Sequence, residues 1–276
     1  TYLLIINASR IDADVPWLEK SLTEFPDKAG VQLQNVSDST SAVAVQGPKV
    51  VELINGLVSG KSVGGLPVST PSELKKNQIA SFEFQGKPVW LGRTGYTGED
   101  GFEIVAPNEL IEAVWNKLLE IGQPHGLKAA GLGARDTLRT EVCFPLYGHE
   151  LDEQTTPIEA GLGYFVALDK GEFTGRSVLA DQKAKGIGKK LVAFKMTGKS
   201  APPRPHYAVW NHTEANTTHK IGEVVSGTQS PSLGTGIGLA YVPPAYSQVG
   251  TPLIIEIRNQ RVPAEVVSKP FYRKAN

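Results

Sequence analysis

The chain has 276 residues, with 28 Lys+Arg against 28 Asp+Glu, 40% hydrophobic and 20% charged residues, a globular composition with room for two or more domains and not that of a disordered segment. A formal net charge of zero removes the bulk attraction for phosphate backbones on which non-specific nucleic-acid binding rests, and no apolar stretch approaches the ~18 residues a membrane helix needs. Neither nucleic acid nor a membrane is an expected partner.

Residues 1 to 6, Thr-Tyr-Leu-Leu-Ile-Ile, read as a core strand. A core strand at the very start, with no polar lead-in, leads us to expect a fragment or processed form. Val15, Leu18 and Leu22 then recur at helical spacing behind Asp12 and Asp14, up to the breaker Phe25-Pro26-Asp27. Ser41 to Gln46 alternates as a strand, Gly47 turns the chain, and Pro48 opens a helix through Leu57 that stops at Gly60. Ile79–Phe84 and Pro88–Leu91 are strands joined by a hairpin at Gln85-Gly86-Lys87, and another strand covers Phe102–Val105. Asn108 is the expected cap of a helix with Leu110, Ile111, Val114, Trp115 and Leu118 on its apolar face, closed by Gly122. Strands on both sides of amphipathic helices indicate an α+β layer rather than a doubly wound sheet.

From 132 to about 142 a helical segment places Leu138 and Val142 on one face, and Arg135 and Arg139, four apart, on another. That second face is either solvated and salt-bridged or a binding surface. Past Gly186-Ile-Gly188 the helical period disappears. Lys189–Met196, Gly222–Val225, Ile237–Val242, Pro252–Ile257 and Arg261–Val267 are strand-like, so 189 to 276 should form a small β-barrel or sandwich with its boundary near 185 to 190.

Several features carry bland readings. The single Cys143, in the run Val142-Cys143-Phe144, cannot form an internal disulfide or a zinc site; it reads as a buried thiol in a reduced compartment. Histidines at 125, 149, 206, 212 and 219 lack metal-ligand spacing, and no metal is expected. The sequons at Asn211 and Asn216 read as chance in a polar loop. Gly234-Thr-Gly-Ile-Gly238 opens no helix, so it presents no helix N-terminus to a pyrophosphate.

Two segments are chemically richer. Arg93-Thr-Gly-Tyr96-Thr-Gly-Glu-Asp-Gly-Phe102-Glu103-Ile104 places glycines at 95, 98 and 101, where the backbone is free to take positive φ. In the strand that follows, Phe102 and Ile104 share one face and Glu103 takes the other. A fixed carboxylate there could accept two adjacent N–H donors of an aminopyrimidinone ring in parallel, or simply face solvent. Gly131-Leu-Gly-Ala-Arg135-Asp136-Thr-Leu-Arg139 has small residues that allow close approach to a guanidinium suited to a carboxylate or a polar heterocycle.

Together with Leu4-Ile-Ile-Asn7-Ala8, Val45-Gln-Gly-Pro48, Leu146 to Glu153, Pro157 to Gly163 and Lys269-Pro270-Phe271-Tyr272-Arg273, these segments resemble the T-protein (aminomethyltransferase) family of the glycine cleavage system, almost end to end. The resemblance implies an α+β protein with ferredoxin-like lobes around a central folate channel plus a C-terminal β-barrel. Residues 1–35 would be the remnant of one lobe, 36–150 the ferredoxin-like folate-binding lobe, 151–187 a linker with a helix, and 188–276 the barrel. It implies attack by tetrahydrofolate on an aminomethyl group carried by the lipoyl arm of H-protein, with release of ammonia. Glu103 is then similar to the pterin-binding glutamate and Arg135 to the folate-contacting arginine; Asn7 and Tyr96 match further folate-lining positions, and Arg273 falls in the terminal signature.

The family's catalytic aspartate belongs to a strand that would lie upstream of Thr1, so the 276 residues alone are expected to bind folate weakly and transfer little, the full-length parent being active. Related alternatives are the folate domain of a dimethylglycine or sarcosine dehydrogenase-like protein and a non-enzymatic folate-binding protein. Lys170-Gly171-Glu172 carries no cysteine, unlike the folate-dependent iron–sulfur and tRNA-modification members of the superfamily. A bacterial cytoplasm, or a mitochondrial matrix in a eukaryote, is the expected location.

Overall fold

The computed structural model describes residues 2–212 and 218–274. The chain packs as two compact units, Thr1–Gly95 with Asp100–Ala129, and Tyr96–Glu99 with Ala130–Asn276.

The first unit is a five-stranded antiparallel sheet with helices against one face. Its strands are β1 (Thr40–Gln46), β2 (Gly64–Gly65), β3 (Ile79–Phe84), β4 (Lys87–Gly92) and β5 (Gly101–Pro107), in the order β1-β5-β4-β3-β2. The β3–β4 turn is the predicted hairpin, with Gln85 at φ 50 and Gly86 at φ 77, the left-handed pair that matches the strand twist. Alternation sends Val89, Leu91, Phe102, Ile104 and Ala106 into one core with Leu110, Val114 and Leu118 of a helix, Asn108–Gly122, that packs on β1 and β5. Asn108 does not cap that helix: its amide donates to Asp38 O at 2.8 Å and accepts from Ser41 Oγ at 2.7 Å. It ties the helix start to the start of β1 instead.

The N-terminal strand expected at residues 1 to 6 is not formed. Thr1 lies outside the described residues; Tyr2 to Ile5 are irregular, with Tyr2 96% and Ile5 73% exposed. A strand exists through its hydrogen-bond ladder, and no described strand pairs with this segment. The helix anticipated behind it does form, as α1 (Ile11–Glu24), with Val15, Leu18 and Leu22 half-buried. The helix opened by Pro48 is shorter than expected, Val50–Leu53 (α2) running into a 3-10 turn, Ile54–Gly56; Asn108–Gly122 is then α3.

The second unit is built on a closed antiparallel barrel of β6 (Lys190–Met196), β7 (Ala208–Asn211), β8 (Lys220–Ser230), β9 (Thr235–Val242), β10 (Pro252–Ile257) and β11 (Gln260–Val267), in the order β10-β11-β6-β9-β8-β7 and closed by β7 on β10. Of the two shapes expected, barrel or sandwich, the chain adopts the barrel. The sequence reading missed β7 and most of β8, which has register breaks near Val224 and is rich in Gly, Ser and Thr. Of the glycines of 234–238, Gly234 takes a positive φ of 66 in the β8–β9 turn, and the other two serve packing. A side chain at Gly236 would meet Met196 and Pro203, and one at Gly238 the Phe194 ring. Asn211 is buried with Oδ1 accepting from His219 N at 2.7 Å; Asn216 lies outside the described residues.

Helix α4 (Leu132–Glu141) packs with the barrel through polar groups. Of the expected apolar face only Val142 is buried: Leu138 is 39% exposed, whereas the polar Arg139, Thr140 and Glu141 are buried. The Arg139 side chain is 1% exposed and that of Glu150 0%, with Arg139 Nη1 donating to Glu150 Oε2 at 2.7 Å. Glu141 accepts from Ser230 Oγ at 2.5 Å and Ser232 Oγ at 2.8 Å, fixing the β8–β9 turn. Helix α5 (Arg176–Lys185) completes the unit.

Removing one partner of a buried ion pair strands the other charge, so Arg139→Met should cost about 3–5 kcal/mol. The double variant Arg139→Met/Glu150→Leu should recover much of that loss in denaturant titration. Equal loss in single and double variants would contradict the stranded-charge account.

Candidate functional site

Glu103 lies at the middle of β5, on the face opposite Phe102 and Ile104, and is half-buried. Its register partners are Ala44 on β1 and Gly92 on β4. The next residue on its own face is Val105, which pairs with Trp90. The two side chains that would stand directly beside the carboxylate are thus a methyl group and a hydrogen. Among the described residues the Glu103 carboxylate makes no hydrogen bond and no ion pair, the residue's backbone being in the ladders with β1 and β4. The result is a carboxylate with only small residues directly beside it and an indole on the diagonal neighbour, the side chains of Thr94 and Ile79 lying near the Gly92 position, a combination absent from the sequence reading because Ala44, Gly92 and Trp90 are far from it in the chain.

The loop before β5 is clamped at its base. Arg93 donates to Asp100 through Nε at 3.0 Å and Nη2 at 2.5 Å, and through Nη1 to Leu74 O at 2.6 Å and Ser72 O at 3.1 Å. The Gln46 amide donates to Thr94 O at 3.1 Å and Phe102 O at 3.4 Å. Of the glycines at 95, 98 and 101, only Gly98 has positive φ, +81. Gly95 and Gly101 are small for a different reason, since a Cβ at either would strike the Gln46 amide; at Gly98 it would strike Val142. Glycine for close approach, rather than for backbone freedom, explains two of the three.

In the second unit Arg135, on the exposed side of α4, lies with its guanidinium 4.9 Å from the centroid of the Tyr96 ring. The Tyr96 hydroxyl donates to Pro145 O, and its ring lies 5.8 Å from that of Phe144. Burial pushes the Tyr96 phenol up to about 12, so it is a neutral donor at any physiological pH. A cation over a pinned aromatic face offers an outward-facing plane of N–H donors. The structure therefore brings Arg135 and Tyr96 together.

The remaining candidates are individually placed. Asn7 uses its side-chain oxygen as a cap, accepting from Ser9 N at 3.0 Å and Ser9 Oγ at 2.7 Å; its amide donors make no hydrogen bond among the described residues. Arg273 is exposed and unpaired among the described residues, next to Tyr272, whose hydroxyl donates to Glu99 at 2.6 Å. Burial pushes the Cys143 thiol up to about 11, so it is protonated near neutrality, as a structural thiol should be. Among the described residues no cluster of His, Cys, Asp or Glu could hold a metal ion, and no helix is long and apolar enough to cross a membrane.

The first unit thus carries an unpartnered, half-buried carboxylate between small neighbours, and the second a guanidinium–aromatic stack. Comparison with known proteins identifies the class. Residues 1–170 match the model of the GCVT N-terminal domain and residues 189–273 that of the glycine cleavage T-protein C-terminal barrel domain. The chain is 42% identical over 274 residues to the aminomethyltransferase of Alkaliphilus oremlandii, covering 99% of this chain and 70% of that protein. It is 44% identical over 277 residues to that of Flavobacterium psychrophilum, covering 99% and 71%. The crystal structure of glycine cleavage system aminomethyltransferase T from Bartonella henselae superposes with a TM-score of 0.78 at 31% identity, over 96% of this chain and 67% of that one. The chain belongs to the glycine cleavage T-protein family, the aminomethyltransferases.

The raised phenol fixes a pH dependence. Between pH 10, the ordinary value, and about 12 the native Tyr96 keeps its proton while the unfolded chain releases it, so its contribution to stability is complete below pH 10 and is lost as pH rises through that window. Tyr96→Phe should lose less stability than the wild type between pH 10 and 12 in denaturant titrations. Identical slopes would contradict a buried phenol at 96.

Proposed function

We propose that the acceptor substrate is tetrahydrofolate and the donor the aminomethyl group borne by the lipoyl arm of H-protein. In this reaction a pterin nitrogen attacks the methylene carbon, the carbon–nitrogen bond to the amine breaks, ammonia leaves, and the lipoyl sulfur is released as the second bond to folate forms. The products are methylenetetrahydrofolate and dihydrolipoyl H-protein.

The observation that carries this reading is Glu103, half-buried, without a hydrogen-bonding partner among the described residues, and flanked by Ala44 and Gly92. Its two oxygens can accept adjacent N–H groups in parallel, as the aminopyrimidinone edge of a pterin presents them. The same negative charge favours an electron-poor, cationic transition state over the neutral ground state. Arg135 and Tyr96 supply a further folate contact in this reading, and the free amide donors of Asn7 another; Arg273 is the least supported, being exposed. The relatives quoted are bacterial, which supports a bacterial cytoplasm as the location, with a lone thiol kept reduced there.

Glu103→Gln replaces one acceptor oxygen by a donor and removes the charge, so affinity for tetrahydrofolate should fall about tenfold or more, the scale of a hydrogen bond to a charged group. Ala44→Leu, at an exposed position, should leave thermal stability unchanged and also weaken binding by filling the space beside the carboxylate. Isothermal titration with tetrahydrofolate checks both. Wild-type affinity in Glu103→Gln would sink the reading.

A further inference from the structure

Arg139 spends all five of its N–H donors inside the protein. Nε donates to Asp136 Oδ1 at 2.8 Å and Nη2 to the same atom at 2.6 Å; Nη2 also donates to Ser226 Oγ at 2.6 Å; Nη1 donates to Glu150 Oε2 at 2.7 Å and Phe144 O at 3.4 Å. Charge balance alone needs only one carboxylate. The additional bonds reach two places that matter for the stack described above.

The first is α4 itself, which carries Arg135 one turn before Arg139. Asp136, adjacent to Arg135 in sequence, is held by the Arg139 fork. The second is the Phe144–Pro145 backbone. Phe144 N donates to Arg139 O at 2.9 Å, Phe144 O accepts from Nη1, and Pro145 O and Phe144 O are the atoms to which the Tyr96 hydroxyl points. Glu150 extends the brace, its Oε2 also accepting from Leu146 N at 2.9 Å. One guanidinium thus fixes both the helix under the Arg135 cation and the backbone that anchors the Tyr96 ring.

We infer that Arg139 is a positioning residue for folate binding: through its bonds to Asp136 and Phe144 it sets the guanidinium of Arg135 over the ring of Tyr96. The inference rests on the reading of Arg135 and Tyr96 as folate contacts. Lysine at 139 would keep the charge but offers three donors from one point and cannot reproduce the planar fork.

The test compares Arg139→Lys, Ser226→Ala and Arg135→Ala with the wild-type 276-residue chain, at a temperature where circular dichroism shows each fully folded. Two readouts are taken: the dissociation constant for tetrahydrofolate, and the ring-current shift of the Arg135 Nε–H by nitrogen-15 NMR. Arg139→Lys should weaken binding about tenfold and move the Arg135 resonance toward its unstacked position, as expected for loss of a fork-specific geometry. Ser226→Ala, which removes one neutral bond to Arg139, should weaken it about threefold and decides the matter if Arg139→Lys does not fold. Folded variants with unchanged affinity and an unchanged Arg135 shift would overturn the inference, leaving Arg139 a purely structural group. Unchanged affinity in Arg135→Ala would instead overturn the folate reading of the stack, and the inference with it.

Discussion

A fully buried guanidinium is an expensive group to desolvate, and everything around Arg139 is arranged to meet that cost. Two carboxylates, a hydroxyl and a backbone carbonyl converge on it from α4 itself, from Phe144 and Glu150 just beyond it, and from Ser226 on β8, 87 residues away. Together they take all five of its N–H donors and so seat α4 in its unit, although the other oxygen of Glu150, Oε1, is buried without a hydrogen-bond partner among the described residues. Apolar packing alone would let a short helix slide by a turn. A five-donor fork does not, and the residues that α4 displays outward inherit that precision.

The first unit reaches an ordered site by a different route. Its sheet buries one face under α2 and α3 and leaves the other to Glu103, Val105 and Trp90. A carboxylate in the middle of a sheet face would ordinarily be flanked by side chains able to bond or crowd it. With alanine on one neighbouring strand and glycine on the other, it is neither neutralised nor covered. The rigid base of the preceding loop, Arg93 on Asp100 and Gln46 between two glycines, fixes where β5 begins and therefore which residues face which way. Shifting the register by one residue would put Glu103 into the core.

Much of this architecture is readable from the chain because it is local. Strand alternation in β1, β3, β4 and β5, the hairpin at Gln85-Gly86, the apolar stripe of α3 and the loss of helical period after Gly188 are all written in consecutive residues. Glu103 on the face opposite Phe102 and Ile104 follows from a period of two. What escaped depends on partners that meet only in space. The first residues have strand composition but no ladder to join; Asn108 looks like a cap until Asp38 and Ser41 claim it; β7 is four residues long; and α4 turns its polar side inward because Glu150 and Ser226 wait there. The pair Arg135 and Arg139, equivalent in a helical projection, divides into an exposed cation and a buried one for the same reason. Glycine spacing around Tyr96 was visible, but its cause at 95 and 101, a glutamine side chain some fifty residues earlier, was not.

The central proposal is that tetrahydrofolate binds through the carboxylate on β5, with the cation stacked on Tyr96 proposed as a separately testable contact of the other unit. Backbone amide NMR of the nitrogen-15-labelled chain, titrated with tetrahydrofolate to saturation, tests it most directly. The account predicts the largest shift changes at residues 102–104, at Tyr96 and around Arg135. Changes confined to other parts of the chain, with these amides unmoved, would contradict it.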